Sequence, residues 1–353
     1  MRLSGIHYRV GSELWLEDID LSLAKGGINV LLGATLAGKT TLLRIMAGLD
    51  RPTAGRLLAG DIDLTGVPVR QRNVAMVYQQ FINYPSLTVY ENIASPLRVA
   101  RRNEAEIRTR VTALAETLRL TPFLSRYPAE LSGGQQQRTA LARALAKDAE
   151  LLLLDEPLIN LDYKLREELR AELAQLFADG RTTVVYATTE PLEALQLGGY
   201  TTLLAAGRVL QSGPTMQVFR RPATLAAARA FSDPPLNVIP ARVDARNHEA
   251  VLPDGVRLPI APTQASEIVL GIRAHEFSLA GASGLTALSG RVELAEISGS
   301  ETFIHLARDD ARLVALIPGV HDLALNEPCT LYVRPASLYG FDSSGRLLFA
   351  PES

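Results

Sequence analysis

Along the first two-thirds of the chain, short apolar runs alternate with stretches whose apolar positions recur every three or four residues. Residues 2–32 hold brief apolar segments broken by Gly and polar residues, the pattern of an antiparallel strand group. The run from Gly27 to Leu32 predicts a buried strand, and residues 42–47 open a helix. The segment from Asn73 predicts a strand that ends in Gln79. Residues 86–148 read as mostly helical, with Ile107, Val111, Leu114 and Leu118 at helical spacing and a strong helix former at 139–146. Four leucines at 151–154 predict a strand covered on both faces, as in parallel sheets. Leu161, Leu165, Leu169, Leu173 and Leu176 mark an amphipathic helix, and residues 182–187 a further strand.

Strands and helices in alternation predict an α/β domain over residues 1–231, with a helical subdomain at about 86–148. Residues 232–237 are Pro-rich and predict a rigid linker. Beyond them the pattern changes to short strands and turns at 251–259, 268–273, 291–297 and 330–334. That spacing predicts an all-β barrel over 238–353.

Composition changes this picture only by exclusion. The 36 basic and 38 acidic residues nearly cancel, so neither disorder nor a nucleic-acid footprint is indicated. A single cysteine, Cys329, excludes an intramolecular disulfide framework and fits a reducing compartment. The first residues lack the apolar core of a signal peptide, and no run approaches the ~18 apolar residues of a membrane span. The chain is therefore expected to be soluble and to reach any membrane through a partner. The five histidines are scattered without ligand spacing, so no structural metal is expected.

Candidate chemistry begins at Gly33, Gly38, Lys39 and Thr40, which fit the phosphate-loop pattern G-x-x-x-x-G-K-[ST] between a predicted strand and a predicted helix. Small residues there, Ala37 among them, let backbone N–H groups curl inward as an anion nest, to which the helix adds its positive end. In this pattern Lys39 reaches the β- and γ-phosphates of a nucleotide and the Thr40 hydroxyl ligates Mg²⁺. Thr35 and Thr41 complete the candidate nucleotide-binding set of this loop. A second place offers bare amides to an anion: Gly133 and Gly134, with Ser132 and Gln135 beside them, precede a helix start. Asp155 and Glu156 end the leucine strand, where open α/β sheets bind ligands. Asp155 suits Mg²⁺ bound through water, and Glu156 could polarise an attacking water. Gln79 places an uncharged donor and acceptor where metal and water could both be touched. Tyr8 and Trp15 precede the phosphate loop; Tyr8 is the candidate to stack on a purine, and a role for both in the core is the alternative.

With these motifs in order, the sequence resembles the ATPase subunit of an ATP-binding-cassette (ABC) transporter, and within it the branch that energises carbohydrate, polyol and glycerol-phosphate importers, the maltose importer among them. The resemblance rests on the phosphate loop (33–41), Gln79, the Leu-Ser-Gly-Gly-Gln signature (131–135), the acidic strand end (151–156) and Asn160-Leu-Asp162, and covers essentially the whole chain. It implies two subunits arranged head to tail, with ATP and Mg²⁺ sandwiched between the phosphate loop of one and the signature of the other. It also implies two transmembrane permease subunits, whose coupling helices enter a groove near residues 79–90, a periplasmic or lipid-anchored solute-binding protein, and a peripheral place on the cytoplasmic side of the inner membrane. Residues 271–275, 299–302 and 341–342 are similar to the family's regulatory domain of paired oligonucleotide-binding-fold barrels. No basic, aromatic surface pattern accompanies them, so nucleic acid is not an expected partner.

Four positions depart from the family, one of them Thr35, where it has Ser. Thr189 stands where the family carries a histidine near the γ-phosphate, Leu36 where it has Gly, and Ile159 where it has a small residue. A damaged phosphate-loop site beside an intact signature favours pairing with a different ATPase subunit; a slow homodimer and a regulatory ATP-binding subunit are the alternatives. A chromosome-maintenance ATPase is excluded, because no sustained heptads separate Thr40 from Ser132. The tract 81–92 leans towards a glycerol importer.

Overall fold

The computed structural model describes residues 1–159, 161–177, 180–308 and 311–351, so Asn160 of the Asn-Leu-Asp motif lies outside the described residues. Two compact units divide the chain at 215/216.

The first unit, Met1–Thr215, holds two sheets. Strands β1 (Arg2–Val10), β2 (Glu13–Ser22), β4 (Ala54–Ala59) and β5 (Ile62–Asp63) form an antiparallel sheet in the order β2-β1-β4-β5. Strands β3 (Ile28–Leu32), β6 (Val74–Val77), β7 (Leu151–Asp155), β8 (Thr183–Thr188) and β9 (Tyr200–Ala205) are parallel, and β10 (Arg208–Pro214) closes the edge antiparallel, in the order β10-β9-β3-β8-β7-β6. Residues 28–32 thus leave the antiparallel group expected across 2–32. β1 and β2 carry exposed positions among their buried ones, whereas Asn29–Leu32 are all buried and require cover on both faces. Helix α1 (Lys39–Ala47) supplies that cover: Leu42, Leu43, Ile45 and Met46 share one apolar core with Leu3, Leu16, Leu31, Leu153 and Val185. Its C-terminal carbonyls are gathered by buried Arg72, which donates to Ile45 O, Met46 O, Leu64 O and Val67 O at 2.7–3.0 Å.

The helical stretch contains α2 (Val89–Val99), α3 (Glu104–Thr117) and α4 (Gly133–Ala146). Each has a side-chain N-cap, from Thr88, Asn103 and Ser132, which satisfies orphan N–H groups at the helix start. The predicted Ile107, Val111, Leu114 and Leu118 stripe is buried. Helix α5 (Tyr163–Leu176) follows β7 and starts two residues after Leu161; α6 (Pro191–Leu197) follows β8.

The second unit opens with α7 (Thr215–Arg220, mostly beyond the boundary) and α8 (Leu225–Ala230). Strands β11 (Asn237–Asp244), β12 (Glu249–Val251), β13 (Arg257–Pro259), β14 (Glu267–Ile272), β20 (Tyr339–Phe341) and β21 (Leu347–Phe349) make one antiparallel sheet. Strands β15 (Phe277–Ser278), β16 (Thr286–Ser298), β17 (Glu301–Arg308), β18 (Ala311–Pro318) and β19 (Pro328–Val333) make the other. Ile239, Leu270, Leu288, Ile304, Leu313 and Leu331 bring both sheets onto a single barrel-like core, the β-rich C-terminal domain expected from the strand spacing. Residues 232–236 sit within this unit: the buried Arg273 guanidinium donates to Phe219 O, Phe231 O and Ser232 Oγ and lies 3.8 Å above the Phe219 ring.

Candidate active site

The phosphate loop joins β3 to α1 and begins where two backbones crowd together. A Cβ on Gly33 would come within 2.3 Å of Leu204 O, and Gly38 holds φ +100 with Leu16 Cδ2 2.7 Å from where its Cβ would be. Both positions therefore require glycine. Leu36 lies between them at φ +66 with 90% of its surface exposed, a left-handed conformation that costs an L-residue roughly 1–2 kcal/mol. Gly33 N–H is fixed by Thr188 O at 3.3 Å, and Gly207 N–H donates to Ala37 O at 3.2 Å.

Lys39 is 4% exposed; its Nζ donates to Gly33 O (2.7 Å) and Ala34 O (3.1 Å) and stands 3.4 Å from Glu156 Oε1. Burial lowers its pKa, while Glu156 and Asp155 pull in the opposite direction. Thr40 Oγ1 donates to Asp155 Oδ1 at 3.1 Å. Burial pushes the Asp155 carboxyl up, against the pull of Thr40 and Lys39. Gln79, beyond the end of β6, donates through Nε2 to Glu156 Oε2 at 3.2 Å. Glu156 itself sits at φ +47, its N–H held by Ala187 O at 3.0 Å. Five residues from three motifs, Lys39, Thr40, Gln79, Asp155 and Glu156, thus converge at one end of the parallel sheet, where such sheets bind ligands. Thr40 hydroxyl, Asp155 carboxylate and the Gln79 amide carbonyl are hard oxygen donors, a set that fits Mg²⁺.

The signature residues form a different surface. Ser132 caps α4 by accepting from Gln135 N–H at 3.4 Å, while Gln135 Oε1 accepts from Ser132 N–H at 3.0 Å. The loop carrying Gln79 leans on this helix: Asn83 Nδ2 donates to Gln136 O at 2.8 Å, and the Arg143 guanidinium lies 4.7 Å above the Tyr84 ring. Gln137 Nε2 donates to Pro157 O, tying α4 to the acidic strand end. Among the described residues, no hydrogen bond joins Ser132–Gln135 to the phosphate loop. Thr189 follows β8 half-buried, in the turn whose Glu190 carboxylate accepts from Arg166 at 2.6 Å. Tyr8 packs half-buried against the core of the first unit, whereas the Trp15 carbonyl lies 3.5 Å from where a Gly38 Cβ would stand. Sequence reasoning passed over Glu193, now found beneath the Thr189 turn; its only signal was an acid in the first turn of a helix.

A strand–phosphate-loop–helix unit with Thr and two carboxylates at one sheet end defines a phosphate-loop nucleotide-binding protein. The model of the family described as ABC transporter matches residues 16–159. The alpha-glucoside transport ATP-binding protein AglK of Rhizobium meliloti (strain 1021) is 34% identical over 98% of this chain and 98% of its own length. The sn-glycerol-3-phosphate import ATP-binding protein UgpC of Yersinia pestis bv. Antiqua (strain Antiqua) is 34% identical over 95% of each. Among solved structures, the dimeric post-hydrolysis state of the ATP-binding cassette MJ0796 bound to ADP and Pi matches with TM-score 0.56 and 31% identity, over 61% of this chain and 98% of that one. The chain belongs to the ABC transporter family, as one of its ATP-binding proteins.

Proposed function

We propose that this chain hydrolyses ATP to energise an importer of the sugar and glycerol-phosphate class, on the cytoplasmic face of the membrane beside two permease subunits fed by a solute-binding protein. The convergence of Lys39, Thr40, Gln79, Asp155 and Glu156 carries this reading. The names of the relatives, one for alpha-glucoside and one for sn-glycerol-3-phosphate, support the substrate class. Lys39 and the amides of Gly33, Thr35, Ala37, Gly38, Thr40 and Thr41 bind the phosphates. Thr40, Gln79 and Asp155 would hold Mg²⁺, which would supply positive charge to offset that of the phosphates. Glu156, oriented by Gln79, takes the proton of the attacking water. Thr189 offers a hydroxyl to the γ-phosphate. Tyr8 or Trp15 stacks on the base, and the exposed indole of Trp15, against the half-buried ring of Tyr8, favours the tryptophan.

Ser132, Gly133, Gly134 and Gln135 cap the γ-phosphate held by another ATPase subunit, which explains two anion-ready backbones on one chain. A groove of about 740 Å³, lined by Tyr78, Tyr84, Leu87, Pro96, Val99 and Arg143, is suited to a permease helix. Because Arg143 and Asn83 tie this groove's loop to α4, movement of the groove reaches Gln79 and the signature together. Thr189 and Leu36 favour one finer reading: a weakened phosphate-loop site here, and an intact signature lent to a different ATPase subunit.

Mixing two dead variants tests both. Lys39→Ala lacks the phosphate-binding ammonium, and Ser132→Arg obstructs the signature. If two copies of this chain share ATP, the mixture regains about a quarter or more of wild-type hydrolysis through one intact composite site, by the logic of an isologous dimer. A mixture as inactive as its components, beside an active wild type, would rule the shared site out. Slow hydrolysis by the wild type alone, raised about tenfold by Thr189→His, supports the weakened-site reading.

A further inference from the structure

Thr188, the last residue of β8, joins the phosphate loop to the Thr189 turn and to α6. Its carbonyl accepts from Gly33 N–H at 3.3 Å, where the phosphate loop begins. Its hydroxyl accepts from Glu190 N–H at 3.0 Å and donates to Glu193 Oε2 at 2.5 Å. The carbonyl before it, that of Ala187, holds Glu156 N–H. The backbone of the turn bearing Thr189 is thus bonded to the Thr188 hydroxyl, whose orientation is fixed by Glu193, while Arg166 holds the Glu190 side chain.

Glu193, in the first turn of α6, is 5% exposed and also accepts from Tyr186 OH at 3.3 Å. A carboxylate at such depth costs free energy that an apolar residue would avoid, so its place needs a reason beyond packing. Arg170, itself 5% exposed on α5 and paired with Glu167, supplies the compensating positive charge, while Glu190 opposes it from the turn. Burial raises the pKa of Glu193, which its bonds to Thr188 and Tyr186 and the charge of Arg170 only partly offset.

We infer that Glu193 is a positioning residue: acting through the Thr188 hydroxyl, it holds the Thr189–Glu190 turn in register with the phosphate loop and with Glu156. The inference rests on the reading of this site as an ATPase. A donor hydroxyl pointed at Glu193 leaves its lone pair for Glu190 N–H, which favours the conformation seen in the turn. Without the carboxylate the hydroxyl is free to rotate and the turn loosens, with Thr189 the first side chain to drift.

The full-length protein tests this through Glu193→Ala, Glu193→Gln and Thr188→Val. Two quantities are read: kcat and KM for ATP hydrolysis, and hydrogen exchange of the Glu190 amide. Glu193→Ala is expected to lower kcat about tenfold or more with KM within about twofold, the signature of misplacement and not of lost binding. Its Glu190 amide exchanges about tenfold faster, because the bond to Thr188 Oγ1 is no longer enforced. Glu193→Gln keeps an acceptor oxygen and recovers most of both. Thr188→Val matches Glu193→Ala, and the double variant is no worse than either, as expected for residues acting in series. Unchanged kcat in Glu193→Ala, additive losses in the double variant, or an unchanged Glu190 exchange rate would overturn the inference. If Glu193→Ala does not fold, Glu193→Gln and Thr188→Val decide by the same readouts. A wild type that hydrolyses no ATP, alone or with other subunits, defeats the ATPase reading, and the Glu190 exchange rate then judges the positioning role by itself.

Discussion

Lys39 Nζ and Glu156 Oε1 stand 3.4 Å apart, so the cation of the phosphate loop and the carboxylate suited to activate water are partners. On the proposed ATPase reading, a γ-phosphate would compete with Glu156 for that ammonium and free the carboxylate to accept a proton. Binding and the readiness of the base would then be coupled through one ion pair.

Glu156→Gln removes the charge but leaves an amide that Gln79 and Lys39 can still meet. Hydrolysis is expected to fall about 100-fold or more, the usual scale for a lost general base, while ATP binding is kept or strengthened. Phosphate release and equilibrium binding measured on one preparation check this. Undiminished turnover would remove Glu156 from the reaction.

Leu36 pairs a left-handed backbone with a side chain in water, and gains nothing visible from either. Leu36→Gly relieves roughly 1–2 kcal/mol of conformational strain and adds about 0.5–1 kcal/mol of chain entropy to the unfolded state. A net stabilisation of up to about 1.5 kcal/mol is expected from urea midpoints at constant slope. Destabilisation of similar size would mean that Leu36 makes contacts in solution that offset its strain.

Trp15 is the single tryptophan and its indole is exposed, so its emission shows without labelling whether a ligand covers it. Nucleotide is expected to change that emission in a saturable way. Trp15→Ala should weaken ATP binding about tenfold, within the range for base–aromatic stacking, and Tyr8→Ala should do less. The reverse order would assign the base to Tyr8.

Burial holds the Glu193 carboxyl above its ordinary range, so the folded protein retains this proton where the unfolded chain has released it. Stability contributed by the protonated group is present below the ordinary glutamate pKa and is lost as pH rises towards the folded value. Glu193→Gln does not titrate, and its thermal midpoint should therefore climb relative to wild type as pH rises through that window, by about 2–4 °C for each kcal/mol involved. Tyr186, Thr188, Glu190 and Arg170 are the groups whose fields set the window. Parallel midpoints at all pH values would show that Glu193 does not titrate differently on folding.

Much of this protein is written locally. The phosphate loop, the Ser132 cap with its Gln135 and the four-leucine strand are each short patterns whose backbone consequences follow from a few neighbours, and each folds as the pattern predicts. So does the barrel-like second unit, because its strands alternate with turns over short distances. Other features belong to the assembled sheet alone. Residues 28–32 join the parallel sheet and not the adjacent antiparallel one because both of their faces need cover, which only the later strands and α1 provide. The ion pair of Lys39 with Glu156, the Gln79–Glu156 contact and the hold of Glu193 on Thr188 depend on strand order and on which carboxylates are drawn out of water. Sequence by itself determined the phosphate loop, the helix caps and most candidates for the chemistry; tertiary structure decided which of them touch and brought in Glu193, because contacts across distant strands are set by packing and burial and not by spacing along the chain.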